Sequence, residues 1–138
     1  MRVVKLVLSI WLLIFIINSC SEDKPLQPSS FSVKLSTFGE IQRQVFNPTC
    51  AVSGCHAGAN PAANLNLTPS QAYQQLVDQP SLLVAGEKLV DPFSGDESVL
   101  VQILRGSVSP RMPLGAAPLS SATIDSIAKW IDEGAQNN

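Results

Sequence analysis

Residues 50–56 have the sequence CAVSGCH. His56 is the only histidine among the 138 residues, and Cys50 and Cys55 are two of the three cysteines. Four residues separate the two thiols, and the imidazole directly follows the second thiol. Thiols and an imidazole in this pattern can form a disulfide, bind a metal ion or attach a prosthetic group.

The pattern favours covalent attachment of one haem. The familiar signature has two residues between the cysteines and a histidine after the second, whereas this chain has four residues between them. The two thiols add to the two vinyl groups of haem, and the neighbouring histidine binds iron through its imidazole. Gly54 permits a tight backbone that could loop out the extra residues. Cys50 and Cys55 are therefore predicted attachment points, and His56 is a predicted iron ligand.

Two other chemistries compete with haem at this stretch. A Cys50–Cys55 disulfide is sterically reasonable in an exported domain, and the chain would then be a haem-free binding module of an envelope complex. Zinc is disfavoured because two cysteines and one histidine supply three ligands, and the rest of the domain has no further cysteine or histidine.

Met112 is the second candidate iron ligand. It lies in the sequence SPRMP at 109–113, flanked by prolines, and is the only methionine apart from Met1. A thioether can occupy the sixth position of haem iron opposite His56. The alternative is that Met112 fills a gap in an apolar core. An iron without Met112 would have an open position, as in a sensor or a ligand-binding domain.

The N-terminus has the features of a signal peptide. Arg2 and Lys5 precede an apolar run from Leu6 to Ile17, which is shorter than the ~20 apolar residues of a transmembrane helix. Residues 17–20, Ile-Asn-Ser-Cys, resemble the lipobox of bacterial lipoproteins, in which the cysteine becomes the lipidated N-terminus. We expect a signal peptide at 1–19 and lipidation at Cys20. Ordinary secretion, with an unmodified Cys20, is the alternative.

The mature chain is expected to contain one domain. Residues 20–35 are rich in serine, proline and acidic residues and predict a flexible tether, and residues 36–138 are long enough for a single core. Loss of Arg2 and Lys5 takes the net charge from −2 to −4, which does not favour nucleic acid as a partner. We expect a monomer.

The predicted fold class is all-α, with about four short helices and long loops. No segment shows convincing strand alternation. Loops as long as 58–67, 79–95 and 107–119 are unusual in a small domain unless a large group orders them. The predicted helices run from a capping box at Thr37 and Glu40 to Asn47-Pro48, from Thr68 through Val77, from Asp96 to Gly106, and from Ser120 to Gly134.

The order of these parts resembles small monohaem class I cytochrome c domains, particularly a lipoprotein-type subgroup with a C-x4-C-H site. The resemblance covers about residues 38–135. It is carried by Phe38, Ile41 and Phe46, Cys50 to His56, Asn64 to Leu67, Arg105-Gly106, Met112-Pro113 and the segment from Leu119 to Ala135. It implies that the first and last helices pack together around one haem, with Val45 and Phe46 toward Trp130 and Ile131.

The resemblance also implies a function. Iron held by His56 and Met112 has no open position, so we expect an electron carrier rather than an enzyme. Arg105, Arg111 and Lys88 are candidates to pair with the haem propionates. We expect an exported protein, lipid-anchored to a bacterial envelope membrane on the periplasmic side or at the cell surface, with redox proteins of the envelope as its partners.

Overall fold

The computed structural model describes residues 35–138, and these residues are all-α as expected. The signal peptide, Cys20 and the tether before Leu35 lie outside this part of the chain. The elements are α1 (Phe38–Ile41), a π-helix (Gln42–Cys50), a 3₁₀ turn (Ala62–Asn64), α2 (Ala72–Leu76), α3 (Val99–Arg105) and α4 (Ser121–Asp132). Residues 35–138 contain isolated β-bridges and no β-strand.

The predicted capping box starts α1. The Glu40 N–H donates to Thr37 Oγ1 at 3.2 Å, and the Thr37 N–H donates to Glu40 Oε2 at 3.2 Å. The predicted end at Asn47-Pro48 is wrong, because the π-helix carries the chain through Pro48 to Cys50. In an α-helix the ring of Pro48 would clash with the carbonyl four residues earlier. The wider π-helical turn relieves that clash and delivers Cys50 at the end of the helix.

The second helix begins later than the sequence suggests. The Thr68 hydroxyl donates to Asn66 Oδ1 at 2.7 Å, and the Gln71 N–H donates to the Thr68 carbonyl at 2.9 Å. The expected capping box of Thr68 and Gln71 is therefore absent, and α2 starts at Ala72. The Thr68 hydroxyl bonds to Asn66 in the preceding loop, and this local hydrogen bond replaces the one that would cap the helix.

The third helix also starts late, at Val99 instead of Asp96. Ser98 Oγ donates to the Ser94 carbonyl at 2.9 Å, which stabilises a turn ahead of the helix. The carboxylate of Asp96 pairs with Arg105 and does not cap a helix. The end at Gly106 is confirmed, because this residue has φ = 84° and takes the left-handed conformation that glycine favours.

The fourth helix matches its prediction. Ser120 Oγ accepts a hydrogen bond from the Thr123 N–H at 3.1 Å. At the other end, Gly134 donates to the Ile131 carbonyl at 2.9 Å and Ala135 donates to the Trp130 carbonyl at 3.0 Å. These two bonds form a Schellman motif. The described residues contain no helix long and apolar enough to cross a membrane.

The first and last helices meet through aromatic side chains. The ring of Phe38 lies 5.5 Å from the ring of Trp130 and 5.2 Å from that of Tyr73, measured between centroids. Gly39 donates to the carbonyl of the terminal Asn138 at 2.9 Å. The rest of the core is formed by buried side chains from the helices and from the segments between them, and it includes Val45, Phe46 and Ile131.

Candidate functional site

The two cysteines lie at the end of the π-helix and beyond it, and both are free thiols. Cys50 packs against the core, whereas Cys55 is exposed. Burial, together with a smaller contribution from the neighbouring Cys55 thiolate, raises the pKa of the Cys50 thiol to about 11. The site thus offers one sheltered thiol and one accessible thiol.

Residues 52–55, which end at the second cysteine, form a turn. The Cys55 N–H donates to the Val52 carbonyl at 3.0 Å, and Gly54, at the third position, has φ = 82°. A positive φ at this position is typical of a type II turn, and glycine adopts it without strain. The His56 N–H then donates to the Cys50 carbonyl at 3.1 Å. The extra residues are looped out, and His56 lies beside Cys50.

The His56 ring has a defined hydrogen bond. Its Nδ1 lies 3.1 Å from the carbonyl oxygen of Leu65, and a carbonyl can only accept, so Nδ1 carries the proton. The neutral ring then has its lone pair on Nε2. The loop that contains Leu65 makes a second hydrogen bond to His56, in which the Leu67 N–H donates to the His56 carbonyl at 2.8 Å. A ligating histidine usually has its other ring nitrogen fixed in this manner.

Met112 lies on the long loop between α3 and α4. It is half-buried against the core, and its N–H donates to the Ile103 carbonyl at 3.0 Å. Cys50 and Leu65 pack against the same core. Within the described residues, no hydrogen bond joins the Met112 loop to the His56 segment. The structure thus anchors the backbone of Met112 to α3.

Two of the three candidate propionate partners are already paired. Arg105 contacts the carboxylates of Asp96 and Asp125 at 2.6 and 3.0 Å. Lys88 contacts two other carboxylates, those of Asp78 and Asp91, each at 2.8 Å.

Arg111 is placed differently from these two. Its Nε donates to the Leu104 carbonyl at 3.2 Å, and no carboxylate of residues 35–138 is in ion-pair contact with it. Arg111 directly precedes the candidate ligand Met112. Of the three candidate propionate partners, it is the one without a carboxylate partner in the described part of the chain.

Large apolar side chains are exposed on the loops. Leu82 is 83% exposed, Leu114 69% and Val52 36%, and they come from three separate loops. Haem is a large apolar ring, so free thiols, an imidazole with an available Nε2 and uncovered apolar side chains suit it chemically. The donors present fit one haem.

Other binding features lie away from the cysteines. In the part of the chain that is described, no group of three or more histidine, cysteine or acidic side chains could hold a metal ion. Surface clefts of about 190 and 230 Å³ are lined by other residues, including Lys129 and Glu133 in one and Arg105 and Arg111 in the other.

Sequence reasoning missed two contributors to this site. The Leu65 carbonyl is a backbone group, so its residue type gives no signal. Gln42 binds the carbonyl of Leu67 from the core side, and it did leave a signal. It lies four residues after Phe38 and three before Val45, so it is a polar residue on the apolar face of the predicted helix.

Comparison with protein-family models, curated proteins and solved structures found no significant match.

Proposed function

We propose that residues 36–138 form a monohaem class I c-type cytochrome domain that transfers electrons. The observation that carries the proposal is the hydrogen bond from His56 Nδ1 to the Leu65 carbonyl at 3.1 Å. It places the proton on Nδ1 and leaves Nε2 with the lone pair that iron ligation requires. Free thiols at Cys50 and Cys55 on the same segment supply the two groups needed for covalent attachment.

Each residue has a distinct role in this proposal. Cys50 and Cys55 would hold the haem through thioether bonds, and His56 and Met112 would be the two iron ligands. The haem, when bound, would supply one-electron chemistry. Because the chain itself would supply both iron ligands, no coordination position would be left for a substrate, and the domain would act as a carrier and not as an enzyme.

The proposed location follows from the N-terminal sequence. Lipidation at Cys20 would hold the mature protein at an envelope membrane, and residues 21–35 would separate the domain from the bilayer. Redox proteins of the same compartment would exchange electrons with it. A mature net charge of −4 favours partners with complementary positive surfaces.

The experiment that tests the carrier function is replacement of Met112 by alanine in the haem-loaded protein. The wild type should show the weak near-infrared band of sulfur-to-iron ligation in its oxidised form and a single reversible one-electron wave. Met112→Ala should lose the band, lower the reduction potential and bind carbon monoxide, because a water-accessible position replaces the thioether.

The control is Ala116→Ser, which changes an exposed side chain on the same loop. It should leave the near-infrared band and the potential as in the wild type. Rapid carbon monoxide binding by the wild type, or a Met112→Ala protein with unchanged band and potential, would refute the carrier assignment in favour of a ligand-binding haem domain.

A further inference from the structure

The segment Leu65–Leu67 is held from two helices by two glutamine side chains. Gln42, on the π-helix, donates from Nε2 to the Leu67 carbonyl at 2.8 Å. Gln75, on α2, accepts at Oε1 from the Asn66 N–H at 2.6 Å. The Leu65 carbonyl, which accepts the hydrogen bond from His56 Nδ1, belongs to the same segment. Gln42 and Gln75 do not contact the imidazole through a hydrogen bond, but they set the position of the carbonyl that does.

Gln42 has an unusual environment for an amide. It is 5% exposed, and its Nε2 also donates to Asn47 Oδ1 at 2.8 Å. The Leu67 carbonyl can only accept, which fixes which end of the amide is the nitrogen. The other end, Gln42 Oε1, is buried and has no hydrogen-bond partner among the described residues.

An unsatisfied buried oxygen destabilises the fold, so this amide is a poor choice for packing alone. A methionine of similar size would fill the same space without that cost. What Gln42 uniquely supplies is its pair of Nε2 hydrogen bonds, one of which holds the His56 loop. Gln75 holds the Leu65–Asn66 peptide, the one whose carbonyl accepts from His56 Nδ1.

We infer that Gln42 and Gln75 are positioning residues that hold the Leu65 carbonyl against His56 Nδ1 and thereby keep the Nε2 lone pair available. The significance of Nε2 rests on the proposed haem function. The need for a fixed hydrogen-bond acceptor at Nδ1 does not depend on haem, because an imidazole loses its tautomeric preference when the acceptor at one nitrogen becomes mobile. A His56 ring protonated at Nε2 cannot ligate through that atom.

The first experiment uses the full-length chain expressed without haem and labelled with ¹⁵N-histidine. Because His56 is the only histidine, the two ring-nitrogen signals report its tautomer directly at a pH well above the histidine pKa. The wild type should be predominantly the Nδ1–H form. Gln42→Met and Gln75→Met should each raise the Nε2–H fraction by at least about threefold, because the acceptor at Nδ1 becomes mobile.

The matched control is Gln74→Met, an exposed residue on α2 whose side chain makes no hydrogen bond within residues 35–138. It should retain the wild-type tautomer. Gln75 is only half-buried, so Gln75→Met provides the test if Gln42→Met fails to fold. Folded variants of Gln42 and Gln75 with the wild-type tautomer would overturn the inference, even if their thermal stability is lower.

The second experiment measures the reduction potential of the haem-loaded proteins. A weaker hydrogen bond at Nδ1 makes the imidazole a poorer donor to oxidised iron, so Gln42→Met and Gln75→Met should raise the potential while Gln74→Met leaves it unchanged. Equal potentials in all the variants would also overturn the inference. A chain that gains no haem refutes the proposed function instead, and the tautomer comparison on the haem-free chain then decides the inference separately.

Discussion

The two thiols of the site are chemically unequal. Cys50 packs against the core and Cys55 is exposed, although they are joined by one short turn. Burial disfavours the charged thiolate, which is why the pKa of Cys50 is raised to about 11. Since the thiolate is the reactive form, Cys50 is the slower nucleophile in the haem-free chain at neutral pH.

This difference predicts the order of alkylation. In haem-free Cys20→Ser protein at neutral pH, iodoacetamide should modify Cys55 at least about tenfold faster than Cys50, as followed by peptide mass spectrometry. The ratio of the two alkylation rates should fall as the pH rises toward 11, where Cys50 ionises. In denaturant the two rates should become equal. Equal rates in the folded protein would show that the described burial of Cys50 is incorrect.

The residue types of the site could be predicted from the sequence, but their surroundings could not. A single histidine after two spaced cysteines could be named as a candidate from the sequence, because few other donors exist in the chain. The tautomer of His56 depends on a backbone carbonyl nine residues away, and that carbonyl depends on Gln42 and Gln75. Such contacts exist only after the loop has folded, so residue identity does not reveal them.

Among the secondary-structure elements, the turn before α3 lies against α4, and the contact is made at Gly95. The Gly95 N–H donates to Asp132 Oδ1 at 2.7 Å. A Cβ added at Gly95 would lie 2.5 Å from the Ala128 carbonyl oxygen and 2.8 Å from Asp132 Oδ1. The helix backbone cannot move away without disturbing the core beneath it, so close approach here requires glycine.

We expect Gly95→Ala to lower the free energy of unfolding by about 2 kcal/mol, because overpacking forces the backbone to shift. Denaturant unfolding followed by circular dichroism measures this change. Gly115→Ala is the comparison, since a Cβ there meets no atom within 4 Å but must adopt φ = 73°. Gly115→Ala should lower the free energy of unfolding by about 1 kcal/mol, because an alanine disfavours the left-handed conformation. A Gly95→Ala protein as stable as the wild type would contradict the described contact between the turn and α4.

The helices were predicted best where caps and apolar spacing agree. Ser120 and Gly134 flank α4 as expected, since both signals depend on nearby backbone groups. The starts of α2 and α3 were misplaced because Thr68 and Ser98 bind partners in the preceding loops. The π-helix was missed because Pro48 is ordinarily a stop signal, and an i+5 register leaves no simple periodicity in the sequence.

On the scale of the whole molecule, the proposal joins a folded domain to a lipid anchor. The acyl chains on Cys20 would supply membrane affinity of ~0.8 kcal/mol for each buried CH₂ group. The wild type should therefore partition into the detergent phase of a cloud-point extraction, and Cys20→Ser should remain in the aqueous phase. The domain's visible spectrum should be the same in both. Partitioning of both proteins into the aqueous phase would refute the anchor.

We propose that Cys50, Cys55 and His56 form a covalent haem site. The most direct measurement is the intact mass of the full chain after co-expression with c-type haem maturation machinery and extraction with acid and organic solvent. We expect the mass of one haem to remain on the wild type, and Cys50→Ala to show an altered haemochrome band because at most one thioether bond is left. A wild-type chain whose mass shows no haem, or whose haem is removed by extraction, would contradict the account.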